Sequence, residues 1–144
     1  MTAEIEPVEL PHMSIADDRD LSKVERELVA WLIESGPENA KCFMAQVPAL
    51  RVYARCECGC PTVFFSVAGK RPKFANCGGA ALAEAVATRT PTEVLGTTLM
   101  YCEDQLYGLE LVLYAGQKAM YEYAWPQLNE LIPHNQGLPY SHEA

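Results

Sequence analysis

Histidine is scarce in this sequence and sits in unhelpful places: His12, His134 and His142 all fall in terminal segments, outside every periodic stretch. Histidine is the usual general base near neutral pH, so a Ser/His or Cys/His nucleophile pair is not expected. No stretch approaches the roughly 18 apolar residues of a membrane span. The first residues, with Glu4, Glu6 and Glu9, also lack the basic start and apolar run of a secretion signal. No membrane association and a cytoplasmic location are therefore expected, and there thiols stay reduced. The phosphate-loop pattern Gly-x-x-x-x-Gly-Lys-Ser/Thr is missing, and so is the Cys-x-x-Cys pair of thioredoxin-type redox sites.

Positive charge is the other shortage. The 11 basic residues against 19 acidic ones leave a net charge of −8, which disfavours nucleic acid and anionic membranes and suits a basic protein partner. The deficit is uneven, with ten acids and three bases in 1–38, two acids and seven bases in 39–90, and seven acids and one base in 91–144. Arg51, Arg55, Lys70, Arg71 and Lys73 are expected to face the acidic flanks of the same molecule or solvent, with no dedicated anion site.

What is present is a core-forming sequence. Half of the 144 residues are hydrophobic, at 49%, enough for one domain without staples. Leu21, Val24, Leu28, Trp31 and Leu32 recur at helical spacing, with Ser22 and Glu25 as a capping box and Gly36-Pro37 as a stop. A shorter helix is expected from Pro37 through Val47. From Leu50 the period changes to two, and Leu50 to Cys58 with Thr62 to Val67 reads as a β-hairpin turning at Gly59-Cys60-Pro61. Val94 to Cys102 and Leu106 to Tyr114 give a second hairpin, Ala119 to Trp125 an edge strand, and Leu128 to Ile132 a last helical turn. Ala80 to Arg89 reads as a short helix or a covered loop. The expected fold is α+β, with N-terminal helices packed on an antiparallel sheet made of two main hairpins. Residues 17–132 form the domain, flanked by a flexible acidic segment, 1–16, and a polar tail, 133–144.

Three of the six cysteines lie within five residues, in Cys56-Glu57-Cys58-Gly59-Cys60. Three readings stay open. Cys56 and Cys58 continue the Leu50-Val52-Ala54 face and so read first as core thiols. With Cys77 as a fourth thiolate, Cys56, Cys58 and Cys60 form a candidate zinc site, although their one-residue intervals are tighter than zinc-knuckle spacing. Cys58 and Cys60 flank one glycine, and with Arg55 and Lys73 nearby they form a candidate redox pair. Cys42 and Cys102 sit on apolar stretches and read as packing residues. Glu110, among Tyr101, Tyr107, Tyr114, Tyr121 and Tyr123, is the least favoured candidate for chemistry, and no catalytic residue is assigned.

The run Arg51-Val52-Tyr53-Ala54-Arg55-Cys56-Glu57-Cys58-Gly59-Cys60-Pro61-Thr62-Val63, followed by Glu93-Val94-Leu95, Gln105 to Glu110 and Trp125-Pro126, resembles a family of small, functionally uncharacterised bacterial proteins. These share an Arg-Cys-x-Cys-Gly-Cys-x-Ser/Thr hairpin. The resemblance implies the fold and its extent over most of residues 46–126, and it carries no activity. Composition thus favours a noncatalytic, immunity- or antitoxin-like protein-binding module for a basic partner, with a zinc or thiol-redox module as the alternative.

Overall fold

The computed structural model describes residues 10–72 and 80–134. Its centre is one antiparallel sheet of seven strands, β1 (Ser14–Arg19), β2 (Leu50–Cys56), β3 (Val63–Val67), β4 (Ala80–Thr90), β5 (Glu93–Cys102), β6 (Gln105–Ala115) and β7 (Ile132–Pro133). They lie in the order β1-β2-β3-β6-β5-β4-β7. One α-helix, α1 (Lys23–Ser35), and a long 3-10 helix, Glu38–Ala49, pack on one face. The α+β expectation therefore holds, with more strands than two hairpins supply.

Helix α1 starts where the sequence places it. Ser22 caps the Glu25 amide, and the Glu25 carboxylate accepts from the Ser22 N–H at 2.9 Å, so two otherwise orphaned donors are satisfied together. The same carboxylate takes both arms of the Arg19 fork at 2.9 and 2.8 Å, which is why Glu25 tolerates being only 4% exposed. Leu28, Val29, Leu32 and Ile33 then face Val52, Phe65, Leu99 and Leu109 across the sheet. Each large side chain buried there contributes roughly 1.5–3 kcal/mol.

The Ala-rich stretch is neither helix nor loop: it is β4, the longest strand with β6. Helix propensity loses to pairing, because β4 is held by β5 along its whole length and by β7 at Ala85 and Val86. Its alanines serve close approach. Ala83, Ala85 and Ala87 are buried in the core, and a Cβ on Gly36, just past α1, would stand 2.9 Å from the Ala83 Cβ. The chain from Ala119 to Trp125 likewise forms no strand; it makes a 3-10 turn at Met120–Glu122. Leu128–Glu130 forms the expected helical turn, and Ile132–Pro133 returns to the sheet edge as β7.

Strand β1 was not legible. Asp17 and Asp18 are poor strand formers, yet Ser14 pairs with Cys56 and Ile15 with Arg55, so the sheet extends into the segment read as flexible. Its acids have partners: Arg51 reaches Asp18 at 2.9 Å and Asp20 at 2.6 Å, and Arg55 reaches Asp17 at 3.9 Å. Part of the basic middle is thus matched by the acidic start of the same chain. Charges along an edge strand also discourage edge-to-edge pairing with other molecules. No described helix is long and apolar enough to cross a membrane.

Candidate metal centre

Strand β2 ends at Cys56, and the inward alternation ends with it. Leu50, Val52 and Ala54 are buried, whereas Cys56 is half-buried and Cys58 exposed, so the core-thiol reading fails for Cys58. The hairpin closes through Cys56 N–H to the Thr62 carbonyl at 3.1 Å, and a tighter turn forms inside it through Gly59 N–H to the Cys56 carbonyl at 3.3 Å. Gly59 adopts φ +90°, a conformation open to glycine and strained for other residues. That bend folds Cys58 and Cys60 back towards Cys56.

The three sulfur atoms converge, all within 4.8 Å of one another. The Cys56 thiol donates to the Cys58 sulfur at 3.2 Å, and the Cys60 backbone N–H donates to it at 3.4 Å. Burial pushes the Cys58 thiol up, but donors from Cys56 and Cys60 outweigh it and leave the group below its ordinary value. The opposite holds for Cys56. Burial, with the neighbouring thiols Cys58 and Cys60 adding to it, pushes Cys56 up to about 12. Of the two, Cys58 gives up its proton more readily, and a thiolate formed there attracts a soft cation.

The geometry fits a metal of zinc's size. At a Zn–S distance of about 2.3 Å, tetrahedral thiolates stand about 3.8 Å apart. The Cys56–Cys58 separation of 3.2 Å needs only a small splay of two turn-borne side chains once their shared proton leaves. The three cysteines can therefore hold a metal ion such as zinc.

Two other chain segments border the turn. Glu57 N–H donates to the Met13 carbonyl at 3.0 Å, fixing the start of β1 beside the cluster. On another side, a Cβ on Gly59 would lie 3.2 Å from the Tyr121 Cβ. Neither neighbour was visible in the sequence, because β1 lacks strand propensity and Tyr121 read as part of a strand.

The remaining candidates separate. Cys77 and Lys73 lie outside the described residues. Cys42, read as a packing residue, is instead exposed, its thiol donating to the Asn39 carbonyl at 3.3 Å; Cys102 is buried as expected, but disulfide-bonded where a reduced thiol was expected. Glu110 sits on β6 across Thr98 from Glu84, and burial, then the Glu84 charge, raises its carboxyl above the ordinary range. Tyr107 shares that neighbourhood, its phenol raised by burial and by Glu110. No family model, curated protein or solved structure matches this chain, so the resemblance carried by the Arg-Cys-x-Cys-Gly-Cys run gains no support from these comparisons.

Proposed function

We propose that this protein is a thiolate metal-binding module that holds a soft divalent ion such as zinc at Cys56, Cys58 and Cys60. The single observation behind this reading is the convergence of three sulfurs within 4.8 Å at a glycine-bent turn. Cys58, whose thiol is lowered where that of Cys56 is raised, engages the ion first. Binding then displaces the proton of Cys56, so affinity rises with pH. The site lies at a hairpin tip joined to β1, which suits a structural clip more than an open catalytic centre.

Binding to a basic protein ranks second. The net charge of −8 favours it, but Asp17, Asp18 and Asp20 already face Arg55 and Arg51 within the chain.

The test is elemental analysis of untagged protein, with zinc titration of the apo form with its Cys102 disulfide intact. One zinc per chain is expected, lost in Cys58→Ser, with Cys56 and Cys60 protected from alkylation by the metal. Protein that takes up no zinc, and whose thiols react equally with and without it, would end this reading.

A further inference from the structure

We infer that His12 supplies the fourth ligand of this centre, in place of Cys77; the inference rests on the metal reading above. Antiparallel pairing sets Ser14 opposite Cys56, and the bond from Glu57 N–H to the Met13 carbonyl continues the register by one pair. His12 and Cys58 each lie one residue beyond that bond, at the corners of two turns, Pro11–Ser14 and Cys56–Gly59, that meet there. Consecutive Cα atoms are about 3.8 Å apart, so each side chain is rooted one step from the joined Met13–Glu57 pair.

The backbone that carries His12 is held in an unusual shape. Ser14 donates to the Pro11 carbonyl through its N–H at 3.1 Å and through its hydroxyl at 2.6 Å. This closes a turn with His12 and Met13 at its corners. Met13, which is not a glycine, adopts φ +59°, a conformation that costs roughly 1–2 kcal/mol. Residues strained in this way concentrate where a side chain must be presented. Here the strained turn is bonded directly to the cysteine loop.

The chemistry selects the imidazole among the neighbours. Three thiolates and one neutral histidine form a recognised zinc set, and they leave less negative charge on the centre than four thiolates do. Tyr121 and Glu57 offer harder oxygen donors, which suit such an ion less well. The Met13 thioether, 59% exposed, is a weak ligand for zinc. The atoms already gathered within 4.8 Å are the three sulfurs, so the exposed imidazole swings in on binding, a rotamer change available in picoseconds to nanoseconds. The metal would then lock the edge strand β1 to the β2–β3 hairpin.

The experiment uses the full-length protein with its Cys102 disulfide intact, titrated with zinc against a chromophoric chelator, alongside long-range ¹H–¹⁵N spectra of the three histidines at constant pH. The expected result is that one equivalent of zinc moves a His12 ring nitrogen to the position of a metal-bound nitrogen and leaves His134 and His142 unmoved. His12→Gln should weaken zinc by about a hundredfold or more without moving the urea midpoint of the apo form, and His12→Cys should restore tight binding. If the wild type binds one zinc while the His12 ring nitrogens do not move and His12→Gln binds as tightly, the inference is wrong and the three-thiolate site stands. Loss of binding in Cys77→Ser with His12→Gln unaffected would overturn it in favour of Cys77. A wild type that binds no zinc removes the site and the inference together.

Discussion

Replacing Gly59 with alanine tests whether the bent turn is what gathers the thiols. Gly59 has φ +90° and Gly69 has φ +81°, so an alanine at either position meets a similar backbone penalty of roughly 1–2 kcal/mol. The two sites differ in their surroundings. A Cβ at Gly69 would have nothing within 4 Å, whereas one at Gly59 would press on the Tyr121 Cβ at 3.2 Å. Overpacking of this kind adds about 1 kcal/mol, bringing Gly59→Ala to roughly 2–3 kcal/mol against roughly 1–2 kcal/mol for Gly69→Ala. The measurements are urea unfolding of the apo proteins with the Cys102 disulfide intact and zinc competition on each. Gly69→Ala should lower stability and leave zinc affinity unchanged, while Gly59→Ala should lower stability further and weaken zinc at least tenfold. Equal destabilisation with unchanged affinity in both would refute the claim that the Gly59 bend and its contact with Tyr121 organise the cluster.

Three further outcomes are expected. Thiol chemistry should be ordered. Mass mapping after brief iodoacetamide treatment of the apo protein at pH 7 should find Cys58 labelled ahead of the exposed Cys42 and Cys56 labelled last, and denaturing, non-reducing labelling should reach Cys42, Cys56, Cys58 and Cys60 and leave Cys102 unmodified. Six free thiols would contradict the disulfide at Cys102. For Glu25, burial pushes the carboxyl up, but Arg19 and Ser22 hold it below the ordinary range. Its stabilising effect is therefore present above the unfolded value of about 4.3 and is lost as pH falls through the folded one. Glu25→Gln should cost about 2 kcal/mol at pH 7, and its gap from the wild type should close in acid; a constant gap from pH 7 to pH 3 would show that shape, not charge, matters there. Glu110 has the opposite sign. Burial, then Glu84, raises its folded value, so the ionised form weakens the fold above about pH 4.3. Glu110→Gln should raise the urea midpoint at pH 7 and lose that advantage near pH 4, and a lower midpoint at pH 7 would reveal a partner that favours the ionised carboxylate.

Local signals carried part of the fold. Ser22, Glu25 and Gly36 bound α1 because caps are read from nearest neighbours, and the period-two runs from Leu50 and Val94 identify β2, β5 and β6 because alternation is local as well. Ala80 to Thr90 was not legible: alanine favours helix in isolation, and only a neighbouring strand with a helix close above it makes small residues fit a sheet. Ser14–Arg19 escaped for a related reason, since pairing with β2 and salt bridges to Arg51 and Arg55 come from residues far along the chain. The sequence by itself determined that three thiols lie within five residues at a turn. Tertiary structure decided that they converge on one point instead of alternating, because the chain bends back at Gly59, and it joined the turn carrying His12 to the cysteine loop through the Met13–Glu57 bond, because strand pairing joins segments that sequence spacing keeps apart.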